Sequence, residues 1–144
     1  MAGSAFSSFD ISASGMTAER LRMNVIAHNI ANINTTRTEE GGPYKRREVI
    51  FEEVLADAQR ELDGLIGDVG AGVRVVDVVR DTVTEGAKRY VPGHPDADED
   101  GMVMMPNVDP VMEMLDMINA SRGYEANVMA ISAAKQMILK ALDI

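Results

Sequence analysis

The C-terminal stretch 109–142, DPVMEMLDMINASRGYEANVMAISAAKQMILKAL, carries the clearest helix signal in the chain. Asp109 can accept hydrogen bonds from the free N–H groups of a first helical turn, and Pro110 fits the first helical position. Residues then recur at alternating spacings of three and four, the pattern of one side of a long helix. This stripe consists of Met114, Met117, Ser121, Tyr124, Val128, Ile131, Lys135, Ile138 and Leu142. The sequence therefore predicts a long C-terminal helix that pairs along this stripe, with Val128 and Ile131 facing the N-terminal helix.

The same helix has a second apolar stripe beside the first. It consists of Leu115, Ile118, Met129, Ala133 and Met137. Gly123 costs about 1 kcal/mol relative to alanine inside a helix, and we interpret it as a site where another helix crosses closely.

The N-terminal segment, roughly residues 7–33, is a second helix with apolar residues on more than one side. One stripe is formed by Phe9, Ala13, Met16, Met23, Ala27 and Ile30, interrupted by Arg20, and another by Ile11, Ala18, Leu21 and Val25. A helix that is apolar on several sides is buried on several sides. One antiparallel partner covers one side, so we expect further helices from other copies or related subunits to cover the rest.

The stretch 24–35, NVIAHNIANINT, places four asparagines and one histidine inside this apolar helix. Uncharged amides can bond to neighbouring groups in a packed assembly without the cost of burying an ion, and they can fix the register of packed helices. We therefore interpret Asn24, Asn29, Asn32 and Asn34 as interface residues, and His28 as a hydrogen-bonded interface residue rather than a catalytic base.

The middle of the chain is predicted to be a small antiparallel β-hairpin unit. Gly41, Gly42 and Pro43 end the first helix. Residues 44–54 and 72–81 are strand-like, and residues 87–107 read as a short strand, a polar turn and another short strand. Residues 55–68 are either a short helix or a loop. The predicted fold is α+β, with an N-terminal coiled-coil helix (1–36), a linker and β unit (37–106) and an antiparallel C-terminal coiled-coil helix (107–144).

Composition limits the possible functions. The 144 residues suit one compact domain, and the net charge of −9 disfavours nucleic acid, whose phosphates require Lys and Arg. The absence of cysteine excludes thiolate chemistry and leaves the compartment open. The start of the chain lacks the features of a cleaved signal peptide, and no run of 18 apolar residues could span a bilayer.

The acidic stretch 96–107, DADEDGMVMMPN, resembles the first half of a calcium-binding EF-hand loop. However, Asn107 occupies the twelfth position, which needs a bidentate carboxylate, and Pro95 and Pro106 are incompatible with the flanking helices. We interpret the stretch as a solvated acidic turn. Binding of a divalent or transition-metal ion there, with help from His94, is the alternative.

Three further motifs carry little chemistry. The glycine-rich residues 67–72 precede a strand, whereas a phosphate-binding loop follows one. The basic residues 44–47, YKRR, are isolated in an acidic region and are interpreted as a solvated strand face. No nucleophile motif accompanies His28, so no catalytic, cofactor-binding or metal-binding residue is predicted.

Two stretches together carry a family resemblance. Residues 11–36, ISASGMTAERLRMNVIAHNIANINTT, and residues 118–142, INASRGYEANVMAISAAKQMILKAL, resemble the terminal signatures of bacterial flagellar rod, hook and hook-associated axial proteins. Residues 90–111 and the short middle are similar to those of a proximal rod member of that family. Met102 departs from the pattern, since that loop usually has an aromatic residue there.

The resemblance implies a non-enzymatic, self-assembling subunit of the flagellar rod that transmits torque and is required for motility. It implies helical stacking with other copies and neighbouring rod proteins, contact with the membrane ring and the export gate, and secretion through the flagellar type III apparatus without a signal peptide. It implies no cofactor, and we expect no nucleic acid and no direct lipid binding. The alternative is a soluble coiled-coil regulator that binds a divalent cation at the acidic loop. The predicted subunit-interface residues are Met16, Leu21, Asn24, Val25, His28, Asn29, Asn32, Met117, Tyr124, Val128, Ile131, Ile138 and Leu142.

Overall fold

The computed structural model describes residues 2–54 and 70–142, with side chains from residue 8 onward. The elements in chain order are α1 (Ala2–Ala31), β1 (Arg47–Val54), β2 (Gly72–Arg80), β3 (Lys88–Tyr90), β4 (Met102–Met104) and α2 (Pro110–Leu142). The predicted helices and all four predicted strands are present, which confirms the α+β class. The question of a helix or loop at residues 55–68 lies outside the described residues.

The start of α2 follows the predicted capping arrangement. The Asp109 carboxylate accepts hydrogen bonds from the backbone N–H groups of Val111 at 2.8 Å and Met112 at 3.2 Å. These are N–H groups that have no partner within the helix. The first turn is thus fixed by the sequence of its own cap.

The two helices pack against each other in antiparallel directions. Asn29 bonds to Glu113, Glu19 lies over Gly123, and Asn127 lies over Gly15. Residues late in α1 therefore contact residues early in α2, and residues early in α1 contact residues later in α2. The helices are thus antiparallel, as the sequence predicts.

The middle of the chain forms two separate two-stranded sheets rather than one β unit. β1 and β2 pair antiparallel from Arg47 opposite Arg80 to Val54 opposite Gly72, with a bulge where the register shifts between Ile50 and Phe51. β3 pairs with β4 over three residues. The acidic turn joins β3 to β4, so the polar turn predicted between these two short strands is confirmed.

The buried core of the chain is small and contains few large side chains. Its apolar members are Ala18, Ile26, Tyr44, Val103, Val108, Ala120 and Ala134. The first sheet is attached to α1 at Ser14, whose hydroxyl accepts a hydrogen bond of 3.1 Å from the Val73 backbone N–H. Among the described residues, neither helix is long and apolar enough to cross a membrane.

Candidate assembly interface

A buried polar junction connects α1, β1 and α2 around Asn29. The Asn29 amide donates to the Arg47 carbonyl at 2.9 Å and to the Glu113 carboxylate at 3.0 Å. Its oxygen accepts from the Tyr44 hydroxyl at 2.8 Å and from the Arg47 N–H at 3.0 Å. An asparagine side chain has two donors and two acceptor positions, so every one of them is used. The side chain is fully buried, and it fixes the start of β1 against both helices.

Glu113 brings a charge into this junction. Its side chain is 0% exposed, and its second carboxylate oxygen lies 2.5 Å from Arg46 Nε. Arg46 also contacts Asp116 at 3.2 Å, and its backbone N–H donates to the Asn107 side chain at 2.7 Å. The fully buried carboxylate is thus paired and hydrogen-bonded, which is the condition under which a buried charge is tolerated.

The contacts of the junction raise the pKa values of Arg46 and Tyr44. Desolvation lowers the pKa of Arg46, but the hydrogen bond and the charge of Glu113 outweigh it, so the net shift is upward. Burial raises the pKa of the Tyr44 hydroxyl, and the charge of Arg47 offsets part of that rise. Both groups therefore keep their protons at neutral pH, as donors in this network must.

The surfaces where α1 and α2 touch are lined with small and polar residues. The covered positions of α2 include Glu113, Ala120 and Ala134. At position 123 a Cβ atom would lie 3.2 Å from the Glu19 side chain, so the glycine is needed for this close approach. Gly123 therefore lies at the contact between α1 and α2, and a close crossing of the two backbones at this point stays a prediction.

The predicted pairing stripe of α2 is therefore rotated away from the observed contact line. Met117, Tyr124, Ile131 and Ile138 are half-buried at its flank, but Val128 is 39% exposed. The prediction that Val128 faces α1 is wrong. The three-four spacing marks the bulky apolar side chains of α2, whereas the residues that α2 buries include the small ones Ala120 and Ala134.

Large apolar side chains are left exposed on the rest of α2. They are Val111, Met112, Met114, Leu115, Ile118, Val128, Met129, Met137, Leu139 and Leu142. Clusters of exposed apolar side chains mark sites of protein contact more often than single ones do. We call this set the outer face of α2; Leu142 belongs to it with 76% exposure.

The predicted interface residues of α1 differ in how much of each side chain is covered by its own chain. Met16, Leu21 and Val25 are half-buried, and Asn24 is exposed. His28 stacks on Tyr44 with 6.0 Å between ring centroids and contacts Asn32, which is half-buried.

Asn29 is the exception in α1. It is fully buried within its own chain, so its predicted bonds to a neighbouring subunit are replaced by bonds to β1 and α2. Asn29 can affect an interface only through the shape that it fixes.

Two interpretations of charged segments require correction. Arg46, which was assigned to a solvated strand face, is mostly covered and paired with Glu113. Asp96, which was assigned to a solvated turn, accepts a hydrogen bond of 2.7 Å from the Thr36 hydroxyl and pairs with Arg37. These contacts lower the pKa of Asp96, the Thr36 bond being the largest cause. The turn is therefore attached to the segment that follows α1.

The other acidic side chains of this turn serve it locally or face the solvent. Asp98 accepts hydrogen bonds from the backbone N–H groups of Asp100 and Met102. Within the described residues, no group of three His, Cys, Asp or Glu side chains is arranged to hold a metal ion.

Sequence reasoning missed the residues that build the junction, namely Tyr44, Arg46, Asn107 and Glu113. A single signal pointed to Glu113: an acid within the otherwise apolar start of α2. No local pattern could pair it with Arg46, because 67 residues separate the two.

Comparison with known families defines the class of the chain. Residues 9–37 match the family described as "Flagella basal body rod protein". Residues 99–144 match the family described as "Flagellar basal body rod FlgEFG protein C-terminal". The two matches cover α1 from Phe9 and the whole of α2, the elements that form the helix pair.

Full-length relatives narrow this class. The chain is 44% identical over 147 aligned residues to "Flagellar basal-body rod protein FlgC" of Borreliella burgdorferi, with 96% of each chain covered. It is 40% identical to the protein of the same description from Bacillus subtilis, with 97% of each covered. The identity to the Salmonella typhimurium protein is 38%, with 94% of each covered. The chain therefore belongs to the FlgC family of flagellar basal-body rod proteins.

Proposed function

We propose that the chain is a structural, non-enzymatic subunit of the proximal rod of the bacterial flagellar basal body. In this role it transmits torque from the membrane ring and motor to the distal rod and hook, and motility requires it. Family membership supports this role, because relatives that cover nearly the whole chain are described as basal-body rod proteins.

The observation that carries the proposal is the exposed outer face of α2. The buried residues of α2 are Glu113, Ala120 and Ala134, whereas ten large apolar side chains of this helix stay exposed in the described part of the chain. Neighbouring subunits would remove them from water, at about 25 cal/mol for each Å² covered. A subunit of a helical assembly needs such a surface, whereas an isolated soluble protein is penalised by it.

The proposed arrangement places residues 1–36 and 107–144 in an inner tube as antiparallel coiled-coil helices, and residues 37–106 outside it. The predicted interface residues of α1 and α2 would then contact adjacent subunits directly, apart from Asn29. Interlocked side chains resist sliding, which torque transmission requires.

The proposed partners are other copies of the chain, neighbouring rod proteins, the membrane ring and the export gate. The proposed location is the periplasmic rod, which the chain would reach through the flagellar type III apparatus without a cleaved signal peptide. The alternative function, a regulator that binds a divalent ion, is not favoured, because Asp96 is occupied by Thr36 and Arg37.

Complementation tests the proposal. A flagellated bacterium that lacks its own FlgC-family gene would be given this chain with an epitope tag, and basal bodies would be purified. We expect the tagged chain in the rod and recovery of motility. Secretion of the chain without incorporation into basal bodies would contradict the proposed function.

A further inference from the structure

A groove lies where α1, α2 and the first sheet meet. It has a volume of about 290 Å³, and its apolar wall is formed by Ile11, Ala18, Phe51 and Val73. Glu19 also lines it and is the one ionisable side chain that does so. The groove is therefore an apolar recess with a single carboxylate.

One oxygen of the Glu19 carboxylate has no hydrogen-bond partner among the described residues. Its Oε2 atom is buried without a hydrogen bond, and the other side of the carboxyl group packs over Gly123. A buried carboxylate oxygen without a hydrogen bond is costly, and a ligand that supplies a cation and N–H donors would remove that cost.

The shape and charge of the groove favour a lysine or arginine side chain as the ligand. Such side chains lay their methylene stems along apolar surface and keep the charged end at a polar group. The two helices expose four basic residues that form no ion pair within the described part of the chain: Arg20, Arg122, Lys135 and Lys140.

We propose that the groove around Glu19 is a socket for a basic helical side chain of a second copy of this chain. Charge complementarity supports this occupant, because the same molecule carries the unpaired carboxylate in a recess and unpaired bases on exposed helix surfaces. The ion pair would set the register between adjacent copies, since each of the four bases would reach Glu19 in a different relative position of the two copies. This inference rests on the proposed rod function and assigns one contact within it.

The first test compares two isosteric variants of the full chain. Glu19→Gln removes the charge in the socket, and Glu99→Gln removes an exposed charge from the acidic turn as a matched control. We expect Glu19→Gln to enter purified basal bodies about tenfold less than the control, because a charge-assisted hydrogen bond contributes about 1.5–3 kcal/mol. Equal incorporation of the two variants would overturn the socket.

Urea unfolding of the dilute chain tests whether Glu19 already has a partner within its own molecule. With an empty socket, Glu19→Gln should unfold at the same urea concentration as the wild type or at a higher one. A lower midpoint than that of Glu99→Gln would show that Glu19 already has a partner in its own chain, and it would overturn the proposal.

Charge reversal identifies the source of the base. We expect Glu19→Lys to block incorporation, and a second reversal in the same chain, at one of the four exposed bases, to restore it. If Glu19→Lys blocks incorporation and none of the four reversals restores it, the second copy is wrong as the occupant. The wild-type chain is scored first in the same strain: its absence from basal bodies would reject the proposed function itself, whereas its presence with a failed socket test would reject only the socket.

Discussion

The Glu113 carboxylate accepts a hydrogen bond of 3.0 Å from the Asn29 side chain, although 84 residues separate these positions in the chain. The bond joins the C-terminal turn of one helix to the first turn of the other, so it fixes their relative register. The same asparagine holds the backbone of Arg47, where β1 begins. One buried amide thus sets how the helix pair and the first sheet are oriented.

Glu113→Ala should lower the free energy of unfolding by about 3 kcal/mol. The substitution removes one acceptor each from Arg46 and the Asn29 amide in a mostly covered junction, and breaking such a pair costs about 3–5 kcal/mol when burial is complete. Urea unfolding of the dilute chain measures the loss. Glu125→Ala, on the exposed side of α2, is the control and should change stability by no more than about 0.5 kcal/mol. Equal values for the two variants would show that the junction adds no stability.

Gly123→Leu should destabilise the helix pair, because the space beside this glycine is filled by Glu19. Forcing a side chain into a filled contact typically costs about 1–3 kcal/mol. Ala126→Leu, at an exposed position of α2, is the matched control, since it adds a similar volume facing the solvent. Thermal unfolding followed by circular dichroism compares the two. A Gly123→Leu chain as stable as the control would mean that the helices are not held at this distance.

Val128→Asp and Ile131→Asp should differ in their effect on the stability of the monomer, but both should block incorporation into the rod. Val128 is 39% exposed, so a carboxylate there can stay hydrated in the isolated chain, whereas Ile131 is half-buried beside the helix contact. We expect unchanged unfolding for Val128→Asp and a loss of about 1–3 kcal/mol for Ile131→Asp. Both should fail to enter basal bodies, while Glu99→Ala in the acidic turn should enter normally. Motility of the Val128→Asp strain at the wild-type level would remove Val128 from the interface.

Acid should detach the acidic turn from the segment after α1. The Thr36 hydrogen bond, with the charge of Arg37, holds the pKa of Asp96 below its ordinary value of 3.8. A lowered pKa in the folded state means that this contact stabilises the fold above pH 3.8 and is lost as the pH falls through the lower folded value. The protection of the amides of residues 94–98, relative to their intrinsic exchange rates at each pH, should therefore fall below pH 3.8. Asp96→Asn should show fast exchange already at neutral pH, and slow exchange in that variant would contradict the attachment.

The sequence by itself determined the elements of this protein. Asp109 and Pro110 started α2, and β-branched residues marked β2, because each of these effects acts within a few residues of the chain. The prediction that Gly41, Gly42 and Pro43 end the first helix was wrong, because α1 already ends at Ala31. Apolar residues on several sides of both helices also indicated contact with other molecules, since that pattern is a property of each helix alone.

Only the tertiary structure decided which helix sides meet and which charges are buried. The contact line of α2 passes through Ala120, Gly123 and Ala134 rather than Val128, because side chains of α1 such as Glu19 occupy the space beside it. Arg46 and Glu113 are unremarkable charged residues in the sequence, and their burial depends on positions 67 residues apart being brought together. Long-range contacts of this kind leave no periodic signal, because the energy of each partner depends on a residue that its own neighbourhood does not contain.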